Sequence, residues 1–195
     1  ESILTIEHLT KKYGKNFALK DVNFHVNHGI RYALLGENGA GKTTLISMIC
    51  GLALPDAGNI LFNEENVIKN QSSFKAKIGA VFQNSILDDD LSAYDNLKYR
   101  AYLYGIKKNE FKKRLTILDE HIKFASYYKK PLKRLSGGER RKIDIVRALI
   151  HKPRMLILDE PTTGLDPQSR NDIWQIIDNL QSTEQVTVLL TTHYM

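Results

Sequence analysis

Residues 36–44 read Gly36-Glu37-Asn38-Gly39-Ala40-Gly41-Lys42-Thr43-Thr44. This order matches G-x-x-x-x-G-K-[ST], the pattern of a phosphate-binding loop. The glycines let the backbone curl so that several N–H groups point into one concavity, where an anion can bind. The Lys42 ammonium group can reach the β- and γ-phosphates of a nucleotide, and the Thr43 hydroxyl can ligate Mg²⁺. The stretch therefore predicts a binding site for a nucleoside triphosphate.

The segments on either side of this loop are typical of the strand and the helix that the pattern requires. Residues 30–35 have a continuous apolar end, as a buried strand does, and residues 43–50 read as a helix closed by Gly51. Strand, loop and helix in this order are the context in which the pattern binds phosphate. The N-terminal dipole of the helix is expected to act on the same anion.

The rest of the chain alternates between strand and helix patterns. Residues 2–9 and 18–26 alternate between apolar and polar side chains, as half-buried strands do. Residues 155–158 and 186–190 are continuously apolar, which is typical of parallel strands buried on both faces. Between them, residues 173–180 carry an apolar stripe at helical spacing. This alternation predicts an α/β fold with a mostly parallel central sheet and the phosphate at the carboxyl ends of its strands.

Between residues 91 and about 150 the apolar spacing becomes helical. Ser92-x-x-Asp95 resembles a capping box with Asp in place of the usual Glu, and apolar stripes follow over residues 97–104 and 111–122. We interpret this block as a helical insertion between strands, with its stripes packed into the core.

Composition limits the class of protein without selecting a ligand. The 195 residues suit one domain, with 42% hydrophobic and 26% charged residues. No run of 18 apolar residues is present, so nothing in this sequence is expected to span a membrane. The net charge of +6 is compatible with nucleotides, nucleic acid or lipid head groups. A single cysteine, Cys50, excludes an internal disulfide and fits a reducing compartment.

Two acidic residues follow the apolar strand at residues 155–158. Asp159 can hold Mg²⁺ through water, and Glu160 is placed to polarise an attacking water. The alternative interpretation is that both residues are simply solvated acidic side chains at the end of a strand. The apolar strand before them and Pro161 after them favour the catalytic interpretation.

At Leu135-Ser136-Gly137-Gly138-Glu139 the chain resembles the signature motif of ATP-binding-cassette (ABC) ATPases. Other motifs of that family occur in the family's order. Tyr13 matches the aromatic of the A-loop, Gln83 the glutamine of the Q-loop, and His193 the switch histidine. Residues 164–167 match the D-loop, which contains Asp166. The resemblance covers essentially the whole chain and implies an ABC P-loop ATPase with an N-terminal antiparallel β subdomain and a helical insertion subdomain.

The resemblance implies roles for individual residues around Mg²⁺ and ATP. Tyr13 would stack on adenine, while Thr43, Gln83 and Asp159 would serve the metal. Glu160 would be the general base, with His193 and Gln83 at the γ-phosphate. The remaining ATP contacts would come from the phosphate-binding loop, at Gly36, Asn38, Gly39, Ala40, Gly41, Lys42, Thr43 and Thr44.

In the family, the signature motif grips the γ-phosphate of ATP bound to another subunit. Ser136, Gly137, Gly138 and Glu139 would therefore act in trans, beside the D-loop residue Asp166. Two cassettes would pair head to tail with ATP at each seam, and the intact set of motifs favours a homodimer. Closure on ATP and opening after hydrolysis would form a mechanical switch.

The sequence departs from the family pattern at two motif positions and at its end. Glu139 stands where the best-known signature has Gln, and Glu37 replaces a common Pro; neither change removes a backbone donor. We expect one nucleotide-binding domain over residues 1–195, with a helical subdomain at about 91–150. Glu1 is not an initiator Met, and family members usually continue past the switch histidine, so we expect both ends of the chain to be trimmed.

Within the family, the leading hypothesis is the ATPase subunit of a transporter, peripheral on the cytoplasmic face of the cell membrane. Its partner would be a separate transmembrane permease, with a coupling helix docked between Gln83 and the helical block. Residues 87–97 and 191–195 resemble bacterial multidrug or bacteriocin-immunity exporters. The alternatives are an ABC ATPase that acts on DNA or ribosomes, and one that assists cofactor assembly. Against nucleic acid, no basic run is interleaved with stacking aromatics.

Overall fold

The computed structural model of the chain describes residues 1–37, 39 and 41–193. Its strands are β1 (Ser2–Tyr13), β2 (Asn16–Asn27), β3 (Arg31–Leu35), β4 (Ala57–Phe62), β5 (Glu65–Asn66), β6 (Ile78–Val81), β7 (Met155–Asp159) and β8 (Thr187–Thr192). Its α-helices are α1 (Lys42–Ile49), α2 (Gln71–Lys77), α3 (Ala93–Leu103), α4 (Lys108–Ile122), α5 (Gly137–Leu149) and α6 (Pro167–Glu184). A short 3₁₀ helix, Leu132–Arg134, precedes α5.

The central sheet is parallel, as the sequence predicts, and has the strand order β3-β8-β7-β6. The carboxyl ends of its strands lie at one edge, with Asp159 of β7 opposite Thr191 of β8. The phosphate-binding loop leaves β3 there, and the segment that carries Gln83 leaves β6. The topology therefore brings distant motifs to one edge of the sheet.

A second sheet is antiparallel, with the order β2-β1-β4-β5. Its first hairpin is longer than the sequence indicates, because Lys11 to Tyr13 continue β1 instead of forming a turn. Tyr13 pairs with Asn16, and Gly14 makes the turn with a φ of 61°. The short helix α2 was not predicted from the sequence pattern.

Two hydrophobic cores lie on opposite faces of the parallel sheet. Met155 and Ile157 of β7 pack toward α1 and the antiparallel sheet, whereas Leu156 and Leu158 pack toward the long helices. Successive side chains of a strand point to opposite faces, so burial on both faces requires an uninterrupted apolar run. This explains the composition of residues 155–158.

The block at residues 91–150 contains α3, α4 and α5, as the spacing predicts. Ser92 caps α3 by accepting a hydrogen bond from the Asp95 N–H at 3.0 Å. The division into a single domain with a helical subdomain at 91–150 stays a prediction. No helix in residues 1–37, 39 and 41–193 is both long enough and apolar enough to cross a bilayer.

Candidate active site

The phosphate-binding loop depends on glycine at its last turn. Gly41 precedes α1 with a φ of 89°, and a Cβ built there would lie 2.4 Å from the carbonyl oxygen of Ala18. Only glycine fits this conformation and this close approach. Gly39 also has a positive φ, of 87°. Asn38 and Ala40, predicted to contact ATP, lie outside the described residues.

Lys42 lies in the first turn of α1 with its side chain only 9% exposed. Its Nζ donates to the carbonyl oxygens of Gly36 and Thr192, the latter at 3.2 Å. It also lies 3.4 Å from Oε1 of Glu160. The cation is thus held between the phosphate-binding loop and the end of β8.

Thr43 and Asp159, both predicted to serve a metal ion, lie together. The Thr43 hydroxyl is 3.4 Å from Oδ2 of Asp159, whose Oδ1 accepts a hydrogen bond from the Thr191 hydroxyl at 2.8 Å. Asp159 is buried. Hydroxyl and carboxylate oxygens are the ligands that Mg²⁺ prefers, so the pair fits this ion.

Glu160 turns the chain away from β7 with a left-handed φ of 45°. Its N–H donates to the Thr191 hydroxyl at 2.9 Å, and its Oε2 accepts a hydrogen bond from the Thr163 hydroxyl at 3.1 Å. Nδ1 of His193 lies 3.4 Å from the same Oε2. The structure therefore places His193, Glu160 and Lys42 next to one another.

Two threonines that orient the acidic residues were missed by the sequence analysis. Thr191 contacts both Asp159 and Glu160, and Thr163 contacts Glu160. The contact between Thr191 and Asp159 depends on the pairing of β7 with β8. That pairing places the two residues opposite each other although they are 32 positions apart in the sequence.

An open cleft of about 280 Å³ lies over the phosphate-binding loop and Glu160. It is lined by Ala18, Gly39, Gly41, Lys42, Thr43, Thr44, Gln83 and Glu160. The fold thus brings Gln83 from the end of β6 and Glu160 from the end of β7 to the phosphate-binding loop. Ala18 of β2 is a further lining residue that the sequence analysis did not select.

Tyr13 lies at the tip of the first hairpin and is 55% exposed. The Lys11 ammonium group lies 5.3 Å from the centre of its ring. Tyr13 does not line the cleft among the described residues, although Ala18 on the paired strand does. Its stacking on adenine stays a prediction.

The signature motif forms the start of α5. The Ser136 hydroxyl accepts a hydrogen bond from the Glu139 N–H at 3.2 Å, and a Glu139 carboxylate oxygen accepts one from the Ser136 N–H at 2.9 Å. This is a capping box, in which Glu and Gln serve equally. The departure from Gln at residue 139 therefore preserves the structure of the motif.

The two glycines of the motif pack against the D-loop and the first turn of α6. A Cβ at Gly138 would lie 2.5 Å from the Ser169 hydroxyl, and one at Gly137 would lie 3.3 Å from the Leu165 side chain. Asp166 caps α6 by accepting a hydrogen bond from the Ser169 N–H at 3.1 Å. Hydrogen bonds from Ser169 lower the pKa of Asp166.

The signature motif borders a cleft of its own, of about 250 Å³. This cleft is lined by Ser136, Gly138, Glu139, Lys142, Ser169 and Asp172. Within the described part of the chain, no residue lines both this cleft and the one over the phosphate-binding loop. The two groups of motifs are therefore not joined in one cleft.

A family model described as "ABC transporter" matches residues 19–163. The chain belongs to this family. Its fold is that of solved ABC cassettes, including cbiO1 from Clostridium perfringens, part of the ABC transporter complex cbiONQ. The TM-score to cbiO1 is 0.89 at 31% identity, covering 99% of this chain and 79% of that one. A dimeric structure of the cassette MJ0796 bound to ADP and Pi gives a TM-score of 0.85 at 27% identity, covering 98% and 88%.

Curated relatives of this ABC chain include ATP-binding proteins named for resistance or export. The linearmycin resistance ATP-binding protein LnrL of Bacillus subtilis is 42% identical over 193 residues, covering 99% of this chain and 62% of LnrL. The Nod factor export ATP-binding protein I of Ralstonia nicotianae is 38% identical, covering 99% and 60%. The chain thus spans about 60% of the length of these relatives.

Proposed function

We propose that this chain is the ATP-binding and ATP-hydrolysing subunit that powers export of a substrate by a separate transmembrane partner. The observation that carries the proposal is the cleft that Lys42, Thr43 and Glu160 line at one edge of the parallel sheet, with the Asp159 carboxylate 3.4 Å from the Thr43 hydroxyl. The names of the curated relatives support transport over action on DNA or ribosomes.

The phosphates of ATP are proposed to lie on the loop before α1. Backbone N–H groups of the loop and the N-terminus of α1 favour an anion, and Lys42 adds a full positive charge. Gly36, Asn38, Gly39, Ala40, Gly41 and Thr44 would supply the remaining contacts of the loop. Tyr13 would stack on the adenine, a contact typically worth about 1–3 kcal/mol.

Mg²⁺ would be held by Thr43 and Asp159, and Gln83, which lines the same cleft as Thr43, would serve the ion as well. The bound ion would neutralise charge that develops on the β- and γ-phosphates. Thr191 keeps the Asp159 carboxylate in place through its 2.8 Å hydrogen bond.

Hydrolysis requires a water aligned with the γ-phosphorus. Glu160 is proposed to accept a proton from that water as its oxygen bonds to phosphorus and the bond to the ADP oxygen breaks. The Thr163 and Thr191 hydrogen bonds hold Glu160 in its strained conformation. His193, 3.4 Å from Glu160, and Gln83 would contact the γ-phosphate and the water.

Completion of the site is proposed to require a second copy of the chain. Ser136 and Gly138 line a separate cleft at the start of α5, and together with Gly137 they would bind the γ-phosphate held by the partner. Glu139 would support them through the capping box, and Asp166 through its cap on α6. The dimeric structure of MJ0796 bound to ADP and Pi supports this pairing.

A groove beside the Gln83 segment is the proposed dock for the transmembrane partner. It has a volume of about 240 Å³, and its rim carries Leu52 and Ile86, which are 65% and 56% exposed. Arg100 and Arg147 also line it, and neither forms an ion pair within the described residues. Burial and the charge of Arg100 lower the pKa of Arg147 to about 10. An apolar segment with an acidic side chain would fit this surface.

The docking proposal predicts that Leu52→Glu and Ile86→Glu prevent co-isolation with a polytopic membrane protein. Each substitution would be made in the full-length protein that also carries Glu160→Gln, and the protein would be expressed in the organism from which it comes. It would then be trapped with ATP and isolated from membrane and soluble fractions. Burying a carboxylate against an apolar partner is costly, so we expect loss of the membrane partner with unchanged ATP binding.

Leu103→Glu is the matched control, because Leu103 is 79% exposed on α3 and does not line the groove. We expect it to retain the partner. Recovery of ribosomes or DNA with a membrane fraction free of this protein would overturn the transport proposal. Retention of the membrane partner by both groove variants would overturn only the docking site.

A further inference from the structure

The segment that carries Gln83 is fastened to α5 by a buried arginine. Nη1 of Arg141 donates to the Phe82 carbonyl at 3.0 Å, and Nη2 donates to the Gln83 carbonyl, also at 3.0 Å. One guanidinium thus holds two successive carbonyl groups directly after β6. Its planar fork makes this paired contact possible, and a lysine cannot reproduce it.

A second side chain of the same helix completes the connection. Asp144 lies one turn after Arg141, with Oδ2 3.6 Å from Nη1, and its Oδ1 accepts a hydrogen bond from the Ser85 hydroxyl at 2.8 Å. Arg141 is 7% exposed and Asp144 is 5% exposed. Burial lowers the pKa of Arg141 and raises that of Asp144, while each charge favours the ionised form of the other. The two side chains therefore make three hydrogen bonds to residues 82–85: to the carbonyl groups of Phe82 and Gln83 and with the Ser85 hydroxyl.

The same helix begins at the signature motif. Ser136 caps α5, and Arg141 follows five residues later, which is about 7.5 Å along a helix axis. Because α5 is a continuous helix of 13 residues, a displacement of residues 82–85 would be transmitted to its first turn. Gln83 lines the nucleotide cleft, and Ser136 lines the signature cleft.

We propose that Arg141 and Asp144 are positioning residues that couple the Gln83 segment to the signature motif, so that ATP in one cleft orients the residues that bind the partner's ATP. This inference rests on the proposed function, because it assigns the signature motif to a site formed in trans. It assigns a mechanical role to an ion pair that does not line the nucleotide cleft in the described part of the chain.

The test compares Arg141→Lys with Arg114→Lys in full-length Glu160→Gln protein. Arg114 is a matched control: it is 6% exposed, donates to the Leu149 carbonyl at 2.6 Å and pairs with Glu184, away from residues 82–85. For each variant we would measure the midpoint of thermal unfolding, the Kd of ATP for the monomer, and the ATP concentration that gives half-maximal pairing. Light scattering follows the pairing.

We expect Arg141→Lys to raise the ATP concentration for half-maximal pairing at least about tenfold, within the usual range of coupling between sites. Its monomer Kd for ATP should change less than about twofold. Arg114→Lys should lower thermal stability to a similar degree and leave pairing unchanged. Equal effects of the two substitutions on pairing would overturn the coupling role. Failure of Glu160→Gln itself to pair with ATP would instead overturn the proposed function.

Discussion

Glu160→Gln is expected to bind ATP with unchanged affinity and to hydrolyse it about 10²–10⁴-fold more slowly, the scale of general-base catalysis. The amide keeps the shape of the side chain and can still accept a hydrogen bond from Thr163. It cannot take a proton from water at neutral pH. Single-turnover hydrolysis and equilibrium binding of ATP, measured on the same preparation, separate the two effects.

Glu184→Gln is the matched control for this substitution. The Glu184 side chain is only 6% exposed and is paired with a cation, Arg114, but it lies on α6 away from the nucleotide cleft. We expect Glu184→Gln to affect stability and to leave the hydrolysis step within about twofold of the unsubstituted protein. Unchanged turnover in Glu160→Gln would contradict the assignment of Glu160 as the base.

Ser136→Arg is expected to abolish ATP-driven pairing while the monomer still binds ATP. Ser136 lines the signature cleft, so a long charged side chain there would occupy the space proposed for the partner's γ-phosphate. The substitution also removes the hydroxyl that caps α5. Loss of such a cap typically costs about 1 kcal/mol, which is a stability effect separate from pairing.

Two smaller substitutions separate these contributions. Ser136→Asn retains a capping side chain, and Ser136→Ala removes the cap without adding bulk. We expect both to weaken pairing less than Ser136→Arg, as measured by size-exclusion chromatography with ATP in the Glu160→Gln background. Undiminished pairing of Ser136→Arg would rule out a signature motif that acts at the dimer seam.

Much of the fold could be predicted because burial determines which positions of a strand or helix carry apolar residues. The apolar run at residues 155–158 indicates a strand covered on both faces, and the structure places its alternate side chains in two cores. The order of strand, loop and helix around residues 36–44 was equally informative. The first hairpin was harder, because Lys11 and Lys12 resemble a turn although they continue β1.

The residues missed in the site depend on contacts between distant segments. Thr191 orients Asp159 and Glu160 only through the pairing of β7 with β8. Ala18 approaches Gly41 because the first hairpin folds over the phosphate-binding loop. The capping role of Glu139, by contrast, can be predicted from neighbouring residues alone, since Ser136-x-x-Glu139 is the pattern of a capping box.

The most direct test of a site completed in trans is to mix two inactive variants of the full-length protein and measure ATP hydrolysis. Lys42→Ala would disable the phosphate-binding loop, and Ser136→Arg would disable the signature motif. A mixed pair contains one seam with both defects and one seam with neither. We predict that each variant alone is inactive and that mixing restores hydrolysis. A mixture as inactive as its components would contradict a catalytic site shared between two chains.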